Sequence, residues 1–104
     1  MKEKEMDNKH KKTKEVRAHV LISGRVQGVA FRYYTINMAQ SLGIKGWVSN
    51  CWNGNVEIVM EGQEEKVEQL INWCYRGPGS AIVEKVGIEW EKYRGEFNSF
   101  GIRG

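Results

Sequence analysis

Three segments of the chain alternate apolar and polar residues with a period of two, which is typical of half-buried β-strands. The alternation begins at Val16, Val56 and Val86. A shorter strand is predicted at 44–49, and Asn53-Gly54 predicts a hairpin that connects it to the strand starting at Val56. In that third strand the predicted buried face holds Val56, Ile58 and Met60, and the predicted wetter face holds Glu57, Val59 and Glu61.

Two other segments repeat apolar residues at helical spacing. The second of these, about 63–75, opens with the acidic pair Glu64-Glu65, which favours a helix start, and ends at Arg76-Gly77-Pro78. The first, about 31–42, is ended by Gly43. Its predicted buried stripe is Phe31, Tyr34, Met38 and Leu42.

Phe100 and Ile102 predict a short final strand, so the element order is β-α-β-β-α-β with one extra strand. This order predicts an α+β, ferredoxin-like sandwich in which an antiparallel sheet carries two helices on one face. A chain of 104 residues leaves room for one such domain, at residues 16–104. Residues 1–15 have Met6 as their single apolar residue besides the initiator and are predicted to be a flexible charged tail.

The positive charge of the chain is concentrated in this tail. The whole sequence has a formal net charge of +3, and residues 1–15, with six lysines and four acidic residues, carry +2 of it. No apolar run is long enough for a membrane helix, and the N-terminus lacks the apolar stretch of a secretory signal. Cys51 and Cys74 are too few for a disulfide scaffold. We therefore expect a cytoplasmic protein with free thiols that binds neither nucleic acid nor membranes.

A glycine-containing loop, Ser23 to Arg32, connects the first strand to the first helix. Backbone N–H groups in such a loop, next to a helix N-terminus, can surround an anion. Arg32 lies in the first helical turn, where its charge opposes the helix dipole, and its planar guanidinium suits phosphate oxygens. The residues leave two interpretations open: a phosphate cradle, or a plain turn with a solvated arginine. The Lys-Ser/Thr of a P-loop is missing, so nucleotide binding is not indicated.

Asn50 ends the second strand. A β-α-β crossover makes the first two strands parallel, so both end at the same edge of the sheet. With one strand between them these ends lie about 10 Å apart, a gap that the loop and an amide side chain can bridge. The alternative is that Asn50 only begins the turn.

The chain closely resembles the two signature blocks of the acylphosphatase family, at Gly24–Arg32 and at Gly46–Asn50, the second of which is followed by Gly54–Glu57. The resemblance extends over about Ala18 to Arg103. It implies hydrolysis of a small-molecule acyl phosphate to a carboxylate and inorganic phosphate, without a metal or other cofactor; we expect a monomer. By position, Arg32 matches the family's phosphate-binding arginine and Asn50 its water-orienting asparagine. The implied substrate-binding backbone donors are those of Arg25, Val26, Gln27, Gly28, Val29, Ala30 and Phe31.

The remaining reactive residues have weaker signals. His10 and His19 lack the spacing of metal ligands, so we predict structural or solvated roles and no metal site. Cys51 adjoins Asn50, yet no basic partner for thiol catalysis is evident. Of the tryptophans, Trp52 is predicted either to flank the acyl group or to be half exposed, and the others are predicted to pack in the core: Trp47, Trp73 and Trp90.

Two other functions compete with hydrolysis. The same module occurs as the N-terminal part of hydrogenase-maturation carbamoyltransferases, which suggests a domain that binds phosphate or a carbamoyl-phosphate-like ligand without efficient turnover; the chain end at Gly104 disfavours it. A ferredoxin-like RNA-binding module needs aromatic residues two apart on the open face of the sheet. The third strand instead offers Val59 between Glu57 and Glu61, whose charges repel phosphate.

Overall fold

The computed structural model describes residues 14–103. Most of the predicted tail, together with His10, lies outside them, as does Gly104. Within the described range the chain forms the predicted elements in the predicted order. They are β1 (Glu15–Arg25), α1 (Phe31–Ser41), β2 (Lys45–Asn50), β3 (Val56–Gln63), α2 (Glu64–Cys74), β4 (Ile82–Glu91) and β5 (Phe100–Ile102).

The strands form one sheet in the order β4-β1-β3-β2-β5. β1 pairs antiparallel with β3 and β4, and β2 pairs antiparallel with β3. β1 and β2 are therefore parallel and end at the same edge, as the crossover argument requires. The ferredoxin-like fold is confirmed, with one correction: β5 pairs parallel with β2, so the sheet is mixed. None of the helices between residues 14 and 103 has the length and apolarity to cross a bilayer.

The two helices cover one face of the sheet and enclose the apolar core. Strand residues of this face, such as Val20, Ile58 and Val48, are fully buried against helix residues such as Leu70. The stripe predicted for α1 is partly wrong, because its buried residues are Phe31, Thr35 and Ala39. Thr35 and Ala39 are small and allow the helix to lie close to the sheet, whereas the larger Tyr34 is exposed and packs edge-on against Tyr33.

The other face of the sheet, which we call the open face, is not uniformly wet. Glu61 is only 3% exposed, contrary to the prediction for the third strand. Its carboxylate accepts hydrogen bonds from the Arg17 guanidinium at 3.1 Å and from the backbone N–H groups of Arg94 and Gly95. The connection between β4 and β5 folds over this end of the open face, which the local sequence of β3 does not indicate.

The tryptophans occupy less of the core than predicted. Trp73 packs against Phe31 with ring centroids 5.3 Å apart. Trp47 lies on the open face, where the Arg103 guanidinium carbon is 4.5 Å from the Trp47 ring centroid. Trp90 is 51% exposed because it lies at the end of β4, an edge strand. Trp52 lies at the tip of the predicted β2–β3 hairpin and is fully exposed.

Candidate active site

The loop from β1 to α1 contains two residues in the left-handed backbone region. Gly28 has φ +75°, and Ala30, the residue before α1, has φ +63° and ψ +24° in the left-handed region. A non-glycine residue there is uncommon, and such strain is concentrated at functional sites. No side chain caps α1, and its first turn contains no acidic residue. The first N–H groups of the helix therefore keep their capacity to bind an external anion.

The Gln27 side chain ties this loop to the β2–β3 hairpin. Its Nε2 donates to the carbonyl oxygens of Cys51 and Asn55, both at 2.8 Å. The two hydrogen bonds use both amide protons and connect the loop to the residue that follows Asn50. Sequence reasoning assigned only a backbone role to Gln27 and missed this side-chain function.

Arg32 and Asn50 come from α1 and β2, and both line one surface cavity of about 240 Å³ at the shared edge of the sheet. Neither side chain is fully exposed, and Arg32 forms no ion pair with a carboxylate of residues 14–103. Five of the seven loop residues predicted from the sequence also line the cavity: Val26, Gln27, Gly28, Ala30 and Phe31.

The other two loop residues of this set do not line the cavity. Arg25 is exposed as the last residue of β1, and Val29 packs against the core. Three apolar or aromatic residues that line the cavity were missed, namely Tyr33, Ile36 and Ile102. The alternation of Phe100 and Ile102 marked Ile102 as part of a strand, but only the pairing of β5 beside β2 brings it to the cavity.

Cys51 is a poor nucleophile in this setting. Burial raises the pKa of its thiol, and the Glu57 carboxylate, 3.8 Å from Sγ, raises it further. Both cysteines among the described residues are free thiols.

Known proteins resemble this chain in sequence and in fold. The acylphosphatase family model matches residues 18–102. A curated acylphosphatase of Geobacter sulfurreducens is 51% identical over 86% of this chain and 98% of its own length, and one of Chloroflexus aurantiacus is 53% identical over 84% and 95%. The solved structure of an acylphosphatase from Coxiella burnetii superposes with a TM-score of 0.81 at 36% identity, covering 86% of this chain and 93% of that one.

The chain therefore belongs to the acylphosphatase family. Its enzymatic class is that of an acylphosphatase, a hydrolase.

Proposed function

We propose that the cavity binds the phosphoryl group of a small acyl phosphate and that the protein hydrolyses it to a carboxylate and inorganic phosphate. The loop N–H groups and the Arg32 guanidinium hold the phosphoryl oxygens, and Asn50 orients the attacking water. The observation that carries this proposal is that Arg32, Asn50 and the left-handed loop line the same cavity although they come from separate elements.

The chemistry needs little beyond these groups. The water oxygen attacks phosphorus, the bond from phosphorus to the acyl oxygen breaks, and its electron pair leaves with the carboxylate. A carboxylate is a stable leaving group, so no general acid is required, and the water proton can pass to a phosphoryl oxygen. Phosphoryl transfer then depends on positioning and on stabilising charge at the equatorial oxygens. The Asn50 amide can accept from water and carries no charge that would repel the dianion.

The residues of the cavity also support a reaction that needs no metal. Among residues 14–103, one group of histidine and carboxylate side chains has metal-ligand proximity, formed by His19, Glu89 and Glu91. None of these three lines the cavity. We therefore expect full activity in excess EDTA, and loss of turnover on chelation with rescue by a divalent ion would contradict the proposal.

Tyr33, Ile36 and Ile102 provide an apolar side to the cavity, beside the loop. We place the acyl group of the substrate there, because an acyl chain or ring gains from apolar contacts and a charged phosphate does not. Inorganic phosphate, which lacks the acyl group, should compete with substrate for the loop.

Two substitutions test the assigned roles in steady-state assays with benzoyl phosphate and in phosphate titrations. Arg32→Ala should reduce turnover about 100- to 1,000-fold and weaken phosphate binding, because the guanidinium contacts the phosphoryl group before and during reaction. Asn50→Ala should lower kcat with little change in phosphate affinity, since orienting the water matters chiefly in the transition state. Asn50→Asp should be at least as damaging, because it adds a repelling charge.

Arg76→Ala and Asn72→Ala are matched controls, because both residues are exposed and neither lines the cavity. They should behave as wild type, and thermal melts confirm that every variant is folded. A folded Arg32→Ala enzyme with normal rate and phosphate affinity, or an Asn50→Ala enzyme with normal kcat, would refute the assigned roles.

A further inference from the structure

The open face carries a cluster of ionisable side chains that the hydrolytic reaction does not use. His19 on β1 lies directly opposite Glu89 on β4, and Arg17 lies opposite Glu91. One ligand atom from each of His19, Glu89 and Glu91 lies within 4.8 Å of the others. No ligand spacing around His19 is visible in the sequence, because its carboxylate neighbours come from other strands.

The hydrogen bonds around His19 leave one ring nitrogen directed at this cluster. Nε2 lies 2.6 Å from Glu57 Oε2, and Nδ1 lies 3.4 Å from Glu91 Oε2. A carboxylate only accepts, so the contact with Glu57 assigns the N–H of the neutral ring to Nε2 and the lone pair to Nδ1. A histidine whose second nitrogen donates to a carboxylate is the usual arrangement at protein metal sites.

Glu91 is also held in place by a neighbouring side chain, as His19 is by Glu57. The Arg17 guanidinium donates from Nε to Glu91 Oε1 at 2.8 Å, which leaves Oε2 free to face His19. The separation of 3.4 Å between His19 Nδ1 and Glu91 Oε2 also matches the distance between two ligand atoms that bind the same ion. Two donor atoms at about 2.0–2.1 Å from a tetrahedral Zn²⁺ lie about 3.3–3.4 Å apart.

We propose that His19, Glu89 and Glu91 bind a divalent first-row transition metal ion such as Zn²⁺ on the open face, outside the catalytic cavity. One imidazole nitrogen and two carboxylate oxygens are a donor set that suits such ions. Glu57 and Arg17 orient the ligands from outside. With Glu57, three carboxylates surround His19, and the charge of the neighbouring Arg17 is shared among Glu91, Glu61 and Glu96. An ion there joins β1 to the edge strand β4 and stabilises the sheet at that edge.

The competing hypothesis is that a protonated His19 bridges Glu57 and Glu91 and that no metal binds. Isothermal titration of the full chain with ZnCl₂ in a non-chelating buffer, together with thermal melts, distinguishes the two hypotheses. We expect saturation at one ion per chain and a melting temperature that rises by roughly 10–20 °C when Zn²⁺ exceeds its Kd by 100-fold. Co²⁺ in place of Zn²⁺ should give visible absorption bands that report nitrogen and oxygen ligands.

Glu89→Gln is the decisive variant because Glu89 is exposed and its loss leaves the Arg17 and Glu57 contacts in place. It should weaken Zn²⁺ binding at least tenfold, and His19→Gln should abolish it. Glu57→Gln should weaken binding about 10- to 100-fold, as substitution of an outer partner does. Hydrolysis of benzoyl phosphate should be unchanged in Glu89→Gln.

Three controls address other sources of binding. Glu68→Gln removes an exposed carboxylate from α2, His10→Ala removes the histidine outside the described residues, and Cys51→Ser removes the nearby thiol. None should alter Zn²⁺ affinity. Absence of saturable binding by the wild-type chain, or unchanged affinity in Glu89→Gln, would overturn the proposal, as would binding that depends on His10 alone.

Discussion

Replacing Gln27 by methionine tests whether the loop must be fixed to the β2–β3 hairpin. Methionine keeps the length and volume of the side chain but loses both hydrogen bonds to the Cys51 and Asn55 carbonyls. A typical hydrogen bond contributes about 0.5–1.5 kcal/mol, so the upper bound is about 3 kcal/mol. Each carbonyl keeps a backbone donor, Cys51 from the Gly54 N–H and Asn55 from the Cys51 N–H. Neither acceptor is orphaned, so we expect a loss of about 1–2 kcal/mol.

For a domain of this size, such a loss lowers the melting temperature by roughly 5–15 °C. Below the melting transition the loop and Asn50 are no longer held in register, so kcat should fall about 10- to 100-fold, as misplacement by about 1 Å can cause. Gln69→Met on α2 is the matched control, since Gln69 is exposed. If Gln27→Met equals Gln69→Met in melting temperature and in benzoyl phosphate kinetics, the loop does not depend on this side chain and the argument fails.

Three further predictions concern stability and thiol chemistry. Gly46→Ala should cost at least about 2 kcal/mol in urea unfolding, because Gly46 has φ +140° and an added Cβ would lie 1.9 Å from a carbonyl oxygen of β3. Burial raises the pKa of the Cys74 thiol to about 12, so iodoacetamide at pH 8 should label Cys74 only after unfolding and Cys51 slowly in the native state; equal native labelling would refute this. The Arg17 hydrogen bond holds the pKa of Glu91 below its usual value, so this carboxylate stabilises the fold above its unfolded pKa of about 4.3 and loses that contribution as pH falls through the folded value. Unfolding midpoints of Glu91→Gln should therefore depend less on pH below about 5 than those of wild type.

The fold was predictable because each element has a local signal. The alternation from Val16, the acidic start of α2 at Glu64 and the Asn53-Gly54 turn each appear where the structure has the corresponding element. The start of β4 was predicted four residues late. Its first residues pair with Gly24 and Arg25 beyond a register shift at Ser23, and that pairing is not visible in the sequence of β4 itself.

The same distinction explains which parts of the candidate site could be predicted. The loop and Arg32 are contiguous in sequence, so their proximity was predictable, and the position of Asn50 followed from the handedness of one crossover. Tyr33 and Ile36 were missed because cavity lining depends on the rotation of α1. That rotation is set by Thr35 and Ala39, which the apolar pattern did not mark as buried.

The contacts on the open face were the least predictable from the sequence, because its charged groups come together only through strand pairing. Arg17, Glu61 and Glu91 lie far apart in sequence and form ion pairs across three strands. The open face is connected to the cavity by contacts with the β2–β3 hairpin. Glu57 accepts a hydrogen bond from His19 and contacts the Cys51 thiol. The Cys51 carbonyl in turn accepts a hydrogen bond from Gln27. Since Gln27 binds the backbone of Cys51 and Glu57 contacts only its side chain, a metal ion at His19 can change the stability of the sheet without moving the loop. The shift in melting temperature that Zn²⁺ produces therefore reports on the open face, and turnover in EDTA reports on the cavity.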